Sequence, residues 1–279
     1  MKKFVFKLSF WLIPFASIII IVGISNYYIE KRKAFYRIKN ISKHDNFIFG
    51  DSEIGQLNRH DFYNATLGGE NYELILKKVK LIRKFRNNKF DTIFLGISPK
   101  LLFSIQNSKS FNENNRKSSL MNLYFNGKIN IVGIHSLIFN SSLPFGDGNG
   151  ATVEQSGVID SKKITNNCHF SDLRGSYEID STFLTLINFC RKNCRYLLII
   201  RPPVSDGHKR TTPQKTINSY QDEINNTLIR ATYFDFSTEN WPDKYFFDQN
   251  HLNYIGANRF DNKITFLLNR VQSEIDKKN

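Results

Sequence analysis

Short β-prone runs alternate with helical stretches along most of the chain, and that alternation limits the possible folds more than any other feature. The runs fall at 46–49, 62–66, 92–97, 196–200 and 232–236, with Gly, Ser, Asn or Pro following closely. Between them, 72–85 sets Leu74, Leu76, Val79, Ile82 and Phe85 at helical spacing, and 179–190, 216–229 and 255–275 also read as helices. A helix after each strand carries the chain back to begin the next strand in the same direction. The pattern therefore predicts an α/β domain, a parallel sheet with helices on both faces. At 279 residues there is length for one such core with additions. Hydrophobic residues make up 41% and charged residues 23%, an ordinary balance for a globular domain, so disorder is not the default reading.

Two segments depart from the alternation. Met1-Lys2-Lys3 precedes an uncharged run at 10–24, which Tyr27, Tyr28 and Ile29 extend. About 20 such residues suffice for one membrane helix. Val22-Gly23-Ile24-Ser25 makes a poor cleavage site, so 1–30 reads as a retained anchor in a lipid bilayer. Residues 31–45 read as a basic stalk and 46–279 as the folded domain. Lys2, Lys3 and Lys7 on one side balance Lys31, Arg32 and Lys33 on the other, so charge does not orient the anchor. The second segment, about 102–177, is rich in Asn, Ser and Gly and centres on Gly146-Asp147-Gly148-Asn149-Gly150. It reads as an insertion over the sheet's active edge, with a strand of its own at 129–134. The net charge is +14, and residues 1–43 hold nine Lys or Arg against one Glu. That bias suits anionic headgroups. The chain has no basic helix or aromatic RNA-binding motif, so no nucleic-acid partner is expected.

In open α/β sheets ligands bind at the carboxyl ends of the strands. The first strand runs into Gly50-Asp51-Ser52, where glycine allows a tight turn and the serine is presented at the edge. Alone, this is an ordinary turn. Near the other end, Asp248 and His251 stand three apart just before the last helix. That spacing lets a carboxylate take one imidazole nitrogen and leaves the other for a nucleophile. Alone, this is a capping aspartate beside a surface histidine. A sheet that brings both ends of the domain together turns the two weak signals into one constellation.

These residues resemble the SGNH (GDSL-type) hydrolase family. Gly50-Asp51-Ser52 looks like its first block and Asp248-Gln249-Asn250-His251 like its last. Asn64-Ala65-Thr66-Leu67-Gly68-Gly69 resembles the second block, and Leu252-Asn253 with Gly256-Ala257 is similar to the membrane-anchored branch linked to O-acetylation of envelope polysaccharides. The resemblance implies a flavodoxin-like three-layer sandwich. It also implies Ser52 as nucleophile, His251 as its base and Asp248 as the residue that orients it. Backbone N–H groups of Ser52 and Gly69 would face the oxyanion. No cofactor or metal is implied. The activity expected is transfer or removal of an acyl group, acetyl foremost, on an envelope saccharide, with a membrane acyl-donor protein as a possible partner and the domain outside the cytoplasm. Two positions depart from the family. Ser98 stands where an asparagine oxyanion donor is usual, and Glu53 follows the serine where leucine is common. The Ser98 departure keeps open a catalytically weak binding or assembly subunit, and the anchor keeps open a lipid esterase.

The remaining signals are weaker. An α/β-hydrolase would want Gly-x-Ser-x-Gly, which Ser52-Glu53-Ile54-Gly55 does not supply. His44, His60, His135, His169 and His208 lack metal-ligand spacing, although His208 after Arg201-Pro202-Pro203 is placed to border the site. Cys168, Cys190 and Cys194 form no ligand pattern and read as small buried thiols. Trp241 reads as core, with sugar stacking as the alternative.

Overall fold

The computed structural model describes residues 2–57, 59–98, 108–128, 181–211, 232–248 and 250–276, with single positions 133, 145, 218, 222 and 224. Five strands, β1 (Asn46–Phe49), β2 (Tyr63–Asn64), β3 (Phe90–Gly96), β4 (Cys194–Arg201) and β5 (Thr232–Asp235), form one sheet of order β2-β1-β3-β4-β5. Every pairing is parallel. Helices with described bounds accompany them: α1 (Lys2–Ile41), α2 (Tyr72–Lys84), α3 (Ser108–Asn126), α4 (Ser181–Asn193), α5 (Asp206–Thr211) and α6 (Tyr254–Asp276). The α/β architecture with a parallel sheet is the one the alternation predicts.

Side chains on successive strand residues point to opposite faces, and here they divide between two cores. Phe47, Phe49, Ile93, Leu95 and Ile199 face the core that α2 and α4 cover. Ile48, Phe94, Leu198 and Ile200 face the other, with Ala257, Phe260, Ile264 and Leu268 of α6. Full burial of one such side chain contributes about 1.5–3 kcal/mol, and both faces are dry, which explains why the strands read as apolar runs. Asn71 caps α2 by accepting from the backbone N–H of Leu74, and Asn253 does the same for α6 from Gly256.

The stalk expected at 31–45 continues α1 as helix to Ile41 and then turns toward β1, and it does not stand free. Ala34, Ile38 and Ile41 are buried. Ile38 and Ile41 join the first core, and Ala34 packs with Leu120 and Tyr124 of α3. The side chains of the apolar run up to residue 20, Ser17 excepted, lie outside the described residues. Among the described residues no helix is long and apolar enough to cross a membrane. In the expected insertion, α3 packs on α1 and α2, and Gly133, within the strand expected at 129–134, is helical. The Gly-rich centre at 146–150 lies outside the described residues, as does most of the helix expected at 216–229; its described positions 218, 222 and 224 are helical.

Candidate active site

The turn after β1 is held by two glycines. Gly50 has φ +146°, a conformation that side chains rarely adopt, and a Cβ there would meet Ile54 Cγ2 at 2.5 Å. A Cβ on Gly96, at the end of β3, would meet the same atom at 2.5 Å. Fully buried Ile54 thus seats itself on both strand ends. Asp51 Oδ1 accepts from the N–H of Glu53 at 3.0 Å, and a short 3₁₀ helix follows at Ile54–Gln56. Ser52 is therefore carried on a fixed turn between β1 and β3, the point where strand order reverses and where this topology places its ligands.

A second loop meets it from the far end of the chain. Phe246 and Leu252 form an antiparallel bridge, and the N–H of Phe247 donates to the His251 carbonyl at 2.8 Å. Asp248 Oδ1 accepts from the backbone N–H of Asn250 at 3.1 Å and of His251 at 2.8 Å. Both carboxylate oxygens lie 2.8 Å from His251 Nδ1, and Nε2 lies 2.9 Å from Ser52 Oγ. The carboxylate holds the proton on Nδ1, so Nε2 is free to accept from the serine hydroxyl. Two further bonds run beside this one. Asn250 Nδ2 donates to Glu53 Oε1 at 2.9 Å, and the N–H of Leu252 donates to Gln56 Oε1.

Burial works against both charges of the His251–Asp248 pair and is overcome. It pushes the Asp248 carboxyl up, but His251 and the two backbone N–H groups bring it below its ordinary value. It pushes His251 down, but the bond to Asp248, then the charges of Asp248, Glu53 and Asp51, raise it above the usual histidine range. The surroundings therefore stabilise the imidazolium form more than water does for a free histidine. The His251 and Asp248 side chains keep 30% and 46% exposure, so the pair is open to solvent.

Gly69, read as an oxyanion donor, has φ +72°, and its carbonyl accepts from Asn114 of α3 at 2.9 Å. The preceding Gly68 borders Ser52: a Cβ there would lie 3.9 Å from Ser52 Cβ. Asn64 ties this loop to the Ser52 turn, donating to the carbonyls of Gly55 and Leu57 and accepting from Thr66. Behind the loop Lys78 and Glu70 pair with no exposure on either side chain. Ser98 is buried two residues beyond Gly96, at the same sheet edge.

His208 is buried just beyond β4. Burial lowers its pKa, while the charges of Glu53 and Asp248 raise it, which places it within electrostatic reach of the site it was expected to border. Trp241 is wholly buried beneath Arg259, so it cannot stack on a sugar. Cys190 and Cys194 are buried free thiols, and Cys168 lies outside the described residues. A groove of about 760 Å³ along α6, between Phe236, Tyr245 and Phe266, contains none of Ser52, Asp248 or His251. Sequence reading missed Glu53–Asn250, Gln56–Leu252 and the several bonds of Asn64; only side-chain chemistry in contact reveals them. No family model matches the chain, and no curated protein matches it.

Proposed function

We propose that the chain is an SGNH-type serine esterase or O-acyltransferase with a flavodoxin-like three-layer domain. It acts on an O-acylated envelope saccharide. One observation carries the reading: Ser52, His251 and Asp248 form a single hydrogen-bonded line at the carboxyl edge of a parallel sheet. His251 Nε2 takes the Ser52 proton as Oγ bonds to the acyl carbonyl carbon. The oxyanion that forms faces the N–H groups of Ser52 and of the Gly68-Gly69 loop, and loss of one such donor typically lowers turnover by about 10²–10³. His251 then gives the proton to the departing alcohol oxygen. Water or a sugar hydroxyl, deprotonated by His251, attacks the acyl carbon of acyl-Ser52; the bond to Oγ breaks and His251 returns the proton to the serine. No cofactor enters these steps. In this reading the first thirty residues anchor the chain in a bilayer, the domain lies outside the cytoplasm, and a membrane protein is a source of the acyl group.

The test is labelling by a fluorophosphonate probe. Wild type takes the label, while Ser52→Ala and His251→Ala lose it; both variants stay folded, and Ser52→Ala keeps its melting temperature. Ser98 in place of asparagine favours a second reading, a binding subunit that keeps the fold. Folded wild-type protein that takes no label, with Ser52→Ala keeping full function in cells, points to that reading and sinks the first. A C-terminal reporter active only in the cytoplasm overturns the location.

A further inference from the structure

Glu53 occupies the position after the serine, and its side chain is drawn inward. It is 9% exposed, and its Oε1 accepts from Nδ2 of Asn250 at 2.9 Å. Burying a carboxylate is unfavourable unless hydrogen bonds replace its water, and an apolar side chain could fill the same space. The bond it makes has a particular placement. Glu53 is the neighbour of Ser52, and Asn250 is the neighbour of His251. A second link thus runs beside the Ser52–His251 bond and joins the same two segments across 197 residues of sequence. The backbone N–H of Asn250 in turn donates to Asp248 Oδ1. Holding Asn250 therefore holds the carboxylate as well as the ring.

We infer that Glu53 is a positioning residue: through Asn250 it fixes the Asp248–His251 loop so that Nε2 stays on Ser52 Oγ. The inference rests on Ser52 being the nucleophile. Positioning has a large lever here, because a displacement of about 1 Å between reacting groups can lower a rate on the order of 10²-fold. The charge of Glu53 adds a second effect. The ionisable groups around His251 are Asp248, Glu53 and Asp51, with His208 and Arg201 beyond them at the end of β4. Among these Glu53 stands after Asp248 in raising the histidine. A neutral residue in its place leaves a base that loses its proton at lower pH.

The experiment is the rate of fluorophosphonate labelling against pH for the full chain, with melting temperature measured beside it. Glu53→Ala and Asn250→Ala each label about 10–100-fold more slowly at the optimum. The double variant falls no further than the worse single one, since both remove one link. Glu53→Gln keeps an oxygen that accepts from Asn250, so it restores most of the rate, while the midpoint of its pH profile moves to lower pH. A purely structural Glu53 gives losses that follow the melting temperature and add in the double variant, with an unchanged midpoint; any of these overturns the inference. So does Glu53→Ala labelling at the wild-type rate. If Glu53→Ala does not fold, Asn250→Ala and Glu53→Gln carry the test. Wild type that takes no label defeats the serine reading and this inference together, whereas a labelled wild type with indifferent Glu53 variants defeats this inference alone.

Discussion

Replacing Lys78 by Met exposes what holds the loop beside Ser52. Lys78 Nζ lies 2.8 Å from both oxygens of Glu70 and also donates to the Ala65 carbonyl. Burial pushes the Glu70 carboxyl up and the Lys78 ammonium down, each against the pull of the other's charge. Desolvation outweighs attraction, so the pair as a unit adds little stability. Breaking it is another matter: an uncompensated buried charge costs about 3–5 kcal/mol. Met nearly matches the volume of Lys, so the packing loss is small beside that. In the variant Glu70 escapes by taking a proton. Its folded pKa, already raised above 4.5 beside Lys78, rises further without that charge, and the folded state binds more protons than the unfolded chain. Stability is therefore greatest below that ordinary value and falls as pH rises toward the folded pKa, by about 1.4 kcal/mol per pH unit. Urea unfolding at mildly acidic and at neutral pH measures it. The Lys78→Met deficit is smaller at the acidic pH and widens at the neutral one. Removing both charges, as Glu70→Leu with Lys78→Met, returns stability to near or above wild type. A Lys78→Met protein as stable as wild type at neutral pH, or one whose deficit is the same at both, refutes the reasoning.

Two other outcomes are expected. Labelling at Ser52 needs neutral His251, whose pKa is raised, so the rate climbs with pH to a midpoint above 6.5; Asp248→Asn moves the midpoint down and slows labelling by up to about 10⁴. In stability the same pair acts as two opposite limits: the His251 contribution is full below 6.5 and lost as pH rises through its folded pKa, whereas that of Asp248 is full above 3.8 and lost as pH falls through its own. Urea midpoints of the His251→Ala and Asp248→Asn variants across pH check both signs. Gly256→Ala separates propensity from packing. Helix propensity alone predicts a gain of about 1 kcal/mol, but the new Cβ would fall 2.1 Å from the Tyr245 carbonyl oxygen. A lowered melting temperature is therefore expected, and a raised one means the α6 approach to that carbonyl is not tight.

The strands and most helices were legible because buried strands and amphipathic helices write their periods into the chain; Leu74, Val79 and Ile82 declare α2 by spacing alone. The two halves of the site were legible because each has a short local spacing before or after an element end. The ties between them were not. Glu53 and Asn250 are 197 residues apart, and neither has a periodic neighbourhood that points to the other. The packing of the stalk on the domain went unread for a related reason. Its charged residues Lys31, Arg32, Lys33 and Arg37 dominate the composition, while Ala34, Ile38 and Ile41, spaced four and three apart, supply the narrow stripe that binds it to the domain.

The Ser52–His251 bond spans 199 residues, and that separation has a consequence in time. A ribosome adding about 5–20 residues per second needs roughly 10–40 s to travel from the serine to the histidine. Throughout that interval the serine lacks the imidazole that lies beside it in the fold, because the histidine has not been made. On the serine-nucleophile reading, an unfinished or truncated chain cannot consume an acyl donor, and activity reports that synthesis has passed the last loop and that α6 has docked. No proteolytic fragment ending before Asp248 retains it.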